Sequence, residues 1–428
     1  MSKCEAPNHQ LLTPAHERIS WSENNGLTKI PYSIYSDREV YEEEQEKIFK
    51  GAVWNYLCLE EEISNPGDVR TTWVGETPVI VSRDHEGQIH AMVNRCAHKG
   101  ALVCLKDADN KKSLTCVYHA WNYDLSGQLK SIAFQNGVAG KGGMPLNFDV
   151  SQHRLQPLRV TSLYGLIFGT FSDATKPIEE YIGPKMSAFM KRNLNRPLKV
   201  LGRHSQVIHN NWKLYAENVR DSYHATLLHT FYTAFKVNRL DMDGGIILSE
   251  DKWHHFSYSK RMTHKLDQEY SSADVHSAKY KSSLAAPELI SSWEEFDDGI
   301  THSIQTIFPN LVIQYTLNSL AIRHFVPRGV DETELFWLFL GDKGDTDEQK
   351  HMRVMQSNLT GAAGLVALED GCINSFVQRG TKTSPKETSF VEMGGTVAES
   401  NESSRATETS VRGFWYGYRN IMGFNQTS

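Results

Sequence analysis

Alternation with period two dominates the chain from residue 53 to about 135. The runs TTWVGETPVIVSRD, QIHAMVNRC and SLTCVYHAWNYD are parted by the turn signals NPGD, DHEG and LSG, which predicts a small β-domain. Ahead of it, YEEEQEKIFKGAVWNYL reads as a short helix running into a strand, and LRVTSLYGLIFGTF (158–171) is β again. From about residue 175 the period lengthens, so IEEYIGPKMSAFMKRNL and NNWKLYAENVRDSYHATLLH read as helices. SIQTIF, LVIQYTL, SLAIRHFV and ELFWLFLG, between 301 and 341, predict consecutive antiparallel strands. One polar helix is expected from TDEQKHMRV into ALEDGCINSFV, a loop over 381–410, and a last helical turn around VRGFWYGYRN. No internal repeat is present. The Gly-rich GVAGKGGMP has neither a Walker pattern nor a Rossmann setting, so it carries no phosphate role.

Composition narrows the classes. A chain of 428 residues predicts two or three domains. A net charge of −6 without a basic run argues against nucleic acid. No apolar stretch approaches the ~20 residues of a membrane span, and MSKCEAPNHQLL has no signal-peptide core. Six cysteines make no disulfide framework, so the expected compartment is reducing cytoplasm, where clustered Cys and His are metal ligands first.

Two clusters follow. Cys96-x-His98 and Cys116-x-x-His119 stand seventeen residues apart, each half supplying one thiol and one imidazole. Zinc modules pair like with like, so a structural zinc site suits this order poorly. A Rieske [2Fe–2S] centre needs two Cys on one iron and two His on the other, and two hairpin loops would supply them. Gly100 would let backbone N–H groups approach the sulfurs, and Trp121 would shield the cluster. Cys104 reads as a buried structural thiol, as do Cys4, Cys58 and Cys372. In the second cluster, Asp221 and His224 are three apart and would share a helix face. His229 lies five beyond His224, about 140° round a regular helix, so a helix must end or distort if both bind one metal. Two His and a carboxylate make the facial triad of non-heme Fe(II) oxygenases, and Glu369 and Asp370 are the candidate acids.

With these residues in hand, the chain resembles the large (α) subunits of Rieske non-heme iron ring-hydroxylating oxygenases. C-x-H-x17-C-x-x-H and D-x-x-H-x4-H carry the resemblance, which runs from about residue 20 to the C-terminus. Cys96-Ala97-His98-Lys99-Gly100 departs from the family's Cys-Pro-His-Arg-Gly but keeps both ligands. The resemblance implies an α+β fold. An N-terminal segment (1–44) would pack on the catalytic domain, a Rieske β-domain would span 45–160, and a helix-grip catalytic domain with a curved antiparallel sheet would span 161–428. It implies one [2Fe–2S] cluster on Cys96, His98, Cys116 and His119, and one mononuclear Fe(II) on His224, His229 and Asp370. Asp221 would bridge the Rieske His119 of one subunit to His224 of its neighbour. Expected partners are other α subunits, a small β subunit (α3β3) and a separate NAD(P)H reductase, since the chain has no Rossmann fingerprint.

Within the family the likeness is nearest to large subunits acting on terephthalate, with those for anthranilate, salicylate and halobenzoates beside them. The expected reaction is O2- and NAD(P)H-dependent cis-dihydroxylation of an aromatic carboxylate. A carboxylate needs a cationic anchor, and Arg holds one bidentately. Arg323, in SLAIRHFV, and Arg405, in SSRATETSVRG, are the candidates. Spacing alone would leave Arg323 facing water; the resemblance moves it to the pocket wall. Two alternatives stand beside this reading: a monohydroxylase for salicylate-like acids, and a Rieske electron carrier with no catalytic iron.

Overall fold

Two seven-stranded antiparallel sheets organise the chain. The computed structural model describes residues 13–22, 24, 26–261, 283–362 and 364–424; Cys4 lies outside these. The first sheet holds β1 (Asn55–Leu59), β2 (Asp68–Val74), β3 (Thr77–Arg83), β4 (Ile89–Val93) and β5 (Ala108–Asn110). A three-stranded sheet follows, of β6 (Leu114–Thr115), β7 (Asn122–Tyr123) and β8 (Leu129–Ser131). β9 (Pro157–Leu163) and β10 (Leu166–Thr170) then return to the first sheet between β4 and β1. Pairing therefore carries the N-terminal domain to Thr170, beyond the boundary expected at 160. The reason is that β10 must cover β1, whose five residues are all buried.

The second sheet runs β11 (Leu198–Ile208), β17 (Thr333–Asp342), β16 (Ser319–Pro327), β15 (Leu311–Thr316), β14 (Ile300–Ile307), β13 (His255–Lys260), β12 (Gly244–Leu248). The four strands expected between 301 and 341 are its centre. β11, β12 and β13 had no reading in the sequence, because LKVLGRHSQVI and GGIIL present weak or glycine-broken alternation. The expected single polar helix is two, Asp347–Thr360 and Leu365–Lys382, broken between Gly361 and Gly364. Thr346 starts the first with a capping box to Gln349. The last helical turn is a full helix, Thr409–Met422, closed by Gly423 in the left-handed region (φ 87°). Among the described residues no helix is long and apolar enough to cross a membrane.

One face of the second sheet packs on the first: the His324 and Tyr56 rings are 5.6 Å apart and Arg328 stacks 3.8 Å over Trp73. The other face carries Arg323 and its cross-strand partner Trp337, and lies under the helices Trp212–Asn218 and Leu365–Lys382. The segment before β1 closes the far side. Trp21 meets Trp415 at 5.3 Å, and Tyr35 donates to Glu217. Glu44, fully buried, accepts from Lys213 Nζ (2.6 Å), Trp212 Nε1 (2.7 Å) and Tyr418 Oη (2.5 Å). Cys58 and Cys104 are buried as expected, but Cys372 is exposed, on the outer face of its helix.

Candidate metal centres and substrate cavity

Each Cys/His pair sits in a tight loop. Cys96 N–H donates to Ala101 O and Gly100 N–H returns to Cys96 O; Cys116 N–H donates to Trp121 O and Ala120 N–H returns to Cys116 O. The same turn is thus built twice, and the residue four after each Cys takes positive φ: Gly100 at 75°, Ala120 at 51°. Both thiols are buried, while His98 is exposed and His119 partly so. Their rings lie 4.5 Å apart. Trp121 stacks parallel on His98 at 4.9 Å, and Tyr123 Oη lies 3.2 Å from Cys96 Sγ. Two buried sulfurs below two outward imidazoles fit the mixed ligation of a [2Fe–2S] cluster.

The second cluster lies across the concave face of the second sheet. Asp221 does not share a helix face with His224. It is the N-cap of the single turn Ser222–Ala225, accepting Tyr223 N–H (2.8 Å) and His224 N–H (3.2 Å). The helix ends at Ala225, and His229 stands at the start of the next, Thr230–Ala234. That break lets both imidazoles turn inward, as the 140° offset required. His224 Nε2 lies 3.4 Å and His229 Nε2 3.3 Å from the same atom, Asp370 Oδ1. Two ligands about 2.1 Å from one ion and 90° apart would be roughly 3.0 Å from each other, so the donor set fits a metal. The other nitrogens face acids: His229 Nδ1 meets Glu369 Oε2 at 2.7 Å and His224 Nδ1 lies 3.3 Å from Asp221 Oδ2. Such outer carboxylates orient metal-binding imidazoles. Burial disfavours charge on His224, yet Asp221 and Asp370 outweigh it and raise its pKa to about 10. The pocket is electronegative, and a cation entering it displaces protons.

The cavity beside this triad is also lined by Arg323, Arg405, Tyr232, His302 and Gln314. It is narrow, about 30 Å³, room for about one water, so an aromatic ring enters only as the lining side chains move apart. A larger cleft of about 470 Å³ lies between the two domains and contains none of the triad; the chemistry belongs to the smaller one. Arg323 is buried, donates to Tyr215 Oη (3.1 Å) and lies 4.2 Å over Trp337. Among the described residues no carboxylate pairs with it. Arg405 is buried as well, donating to Asn238 Oδ1 (2.7 Å) and to the Arg239 carbonyl.

Residues 53–140 match the Rieske [2Fe-2S] domain family, and residues 196–423 match the ring hydroxylating alpha subunit (catalytic domain) family. The chain belongs to the ring-hydroxylating alpha-subunit family. It is 46% identical over 396 residues to the terephthalate 1,2-dioxygenase terminal oxygenase alpha 2 subunit of Comamonas sp, covering 92% of this chain and 96% of that one. It is 41% identical to the anthranilate 1,2-dioxygenase large subunit of Burkholderia cepacia, over 93% of this chain and 94% of that one. Identity is 35% to the salicylate 5-hydroxylase large oxygenase component of Ralstonia sp, over 97% and 99%. The fold matches naphthalene 1,2-dioxygenase from Rhodococcus sp., with TM-score 0.77, 24% identity and 93% and 95% coverage. The protein is therefore a ring-hydroxylating Rieske oxygenase subunit, of a family that carries a [2Fe–2S] cluster and a non-heme iron.

Several residues at this alpha subunit's sites went unnoticed in the sequence. Asn218 Nδ2 lies 3.3 Å from both His224 Nε2 and Asp370 Oδ1. Its only sequence cue is position, six before His224. Tyr215 and Tyr123 looked like ordinary core aromatics, which carry no signal for a hydroxyl that supports a guanidinium or a thiolate. Glu369 stood as an alternative ligand and instead meets His229 Nδ1, on the side of the ring away from Asp370.

Proposed function

We propose that this alpha subunit cis-dihydroxylates an aromatic carboxylate, with terephthalate to its 1,2-cis-dihydrodiol as the best reading. In this reading Cys96, His98, Cys116 and His119 hold the cluster, and His224, His229 and Asp370 hold the mononuclear iron. When bound, the cluster supplies single electrons and the iron activates O2. Asp221, touching His224, links that imidazole to His119 of a neighbouring α subunit, so a trimer, with a small β subunit, completes the path. A separate NAD(P)H reductase feeds it.

One observation carries the substrate class. Arg323 is a buried cation, braced by Tyr215 and Trp337, facing the triad's cavity without an acid of its own among the described residues. A desolvated charge needs a counter-charge, and a substrate carboxylate supplies it. Arg405, lining the same cavity, suits the second carboxylate of a para-diacid. Truncating one partner of a desolvated pair costs about 2–5 kcal/mol, roughly 30- to 5,000-fold. Arg323→Ala and Arg405→Ala should each lose terephthalate turnover on that order while keeping iron and cluster. With a monocarboxylate such as anthranilate, one variant should fall sharply and the other change little. Wild-type kcat/KM in both variants for every aromatic acid would sink the carboxylate reading. Diol or phenol product, with NADH supplied through a reductase, separates dihydroxylation from monohydroxylation.

A further inference from the structure

His302 lies on β14, buried, in the wall of the triad's cavity. Its Nδ1 is 3.0 Å from Thr316 Oγ1, its register partner on β15. Gln314 Nε2, two residues along the same strand, donates to that same oxygen at 3.1 Å. Thr316 is fully buried, so the hydroxyl's proton must find an acceptor inside the protein. The Tyr232 hydroxyl, on the same wall, is also buried and sits against the same Thr316 hydroxyl, outside good hydrogen-bond geometry. If His302 donated from Nδ1, Thr316 would receive two protons and could pass its own only toward Tyr232 Oη, which would leave the Tyr232 proton without an acceptor among the described residues. If Thr316 donates to Nδ1, the Thr316 and Tyr232 protons both have an oxygen or nitrogen to point at, Gln314 Oε1 alone stays unpaired, and His302 keeps its proton on Nε2. No protein acceptor among the described residues meets that nitrogen, and no carboxylate pairs with the ring. Burial first, then the nearby Arg405, Arg323 and His229, push its pKa down to about 3, so the imidazole is neutral.

We propose that His302 is a specificity-determining residue whose Nε2–H, fixed by Thr316 and Gln314, reads an acceptor oxygen on the substrate. The inference rests on the aromatic-acid reading above and refines it. The two guanidiniums and the fixed N–H present donors on this wall, beside one unpaired acceptor, Gln314 Oε1. At the His302 Nε2 position a carboxylate or phenolate oxygen is accepted and an amino group, which would face N–H with N–H, is disfavoured. That position therefore favours aromatic acids bearing a second anionic oxygen over aminobenzoates.

The test uses the reconstituted, metal-loaded oxygenase with terephthalate and anthranilate, reading Kd by calorimetric titration and the ratio of their kcat/KM values. His302→Leu removes the donor at similar size, and His302→Gln puts an amide N–H near the Nε2 position. A hydrogen bond to a charged group is worth roughly 10- to 150-fold. His302→Leu should weaken terephthalate binding on that order and move the ratio toward anthranilate, with iron content and cluster absorption unchanged. His302→Gln should restore affinity to within a few-fold of wild type. Thr316→Val, which frees the ring to present either nitrogen, should shift the ratio the same way by less, and serves should His302→Leu not fold. Unchanged terephthalate affinity in His302→Leu, or equal losses in the Leu and Gln variants, overturns the donor role. Failure of the wild type to bind any aromatic acid overturns instead the reading on which it rests.

Discussion

Replacing Glu44 with Leu should destabilise the catalytic unit more than any surface change. Glu44 and Lys213 are both fully buried, with Nζ and Oε1 2.6 Å apart. The substitution would leave the ammonium without its counter-charge, and would also strip Trp212 Nε1 and Tyr418 Oη of their acceptor. Breaking one side of a buried pair costs about 3–5 kcal/mol. At about 2–4 °C per kcal/mol for a domain of this size, thermal unfolding of the catalytic transition should move down by roughly 6–20 °C. The double variant Glu44→Leu/Lys213→Met removes both charges and should recover most of the loss. A pH signature accompanies it. Burial already lowers the Lys213 pKa, against the pull of Glu44; without Glu44 it falls further. Between that lowered value and the usual ~10.4 the unfolded chain binds the proton and the folded chain does not, so stability rises with pH. The Glu44→Leu deficit should thus shrink toward pH 10. Calorimetry of wild type, single and double variants at pH 7 and 9.5 checks it. A single-variant loss under about 1 kcal/mol, or a double no better than the single, would refute the reasoning.

Asp370→Ala should lose mononuclear iron, by metal analysis, and keep cluster absorption. Asp221→Asn should keep both metals yet stop single-turnover oxidation of the cluster; oxidation at the wild-type rate counts against the bridge. Glu217 is buried, which raises its pKa to about 8. The folded chain then holds a proton that the unfolded chain releases above about 4.3, so stability falls as pH rises through that window, by about 1.4 kcal/mol per unit at most. Glu217→Gln keeps an acceptor for Tyr35 and should flatten urea-midpoint profiles between pH 5 and 8, with the variant the more stable at pH 8; parallel profiles argue against a protonated Glu217.

The candidate ligands were legible because metal chemistry writes itself in residue type and spacing. Cys96, His98, Cys116 and His119 needed only their order, and the five-residue step from His224 to His229 required the helix break that is there. The supporting groups were not. The buried stripe of Leu365–Lys382 is Val366, Asp370, Asn374, Gln378 and Thr381, with Ala367 beside it. A mostly polar inner face erases the hydropathy period that marks a helix side. Gln378 is buried because it bonds the Asn211 N–H and Asp331, partners set by tertiary structure alone. Likewise β11 and β12 are strands through their neighbours rather than through their own alternation. The exposed Cys372 shows the converse: its type favours burial, but its turn of helix faces outward.

The three groups gathered on Glu44 are separated from it in synthesis by the whole of the Rieske sheet and, for Tyr418, by the catalytic sheet as well. The strands between residues 55 and 170 are contiguous and need nothing later in the chain to pair. Glu44, by contrast, has already left the ribosome but waits for Tyr418. At about 5–20 residues per second, that wait is tens of seconds. The nascent chain is therefore a paired first sheet, one face still waiting for Asn310 and His324, flanked by an open catalytic half with Trp21 and Tyr35 uncovered. A ribosome stalled before residue 418 should present a cluster-competent domain beside a chaperone client, and assembly in the cell should load the cluster before the mononuclear site is closed.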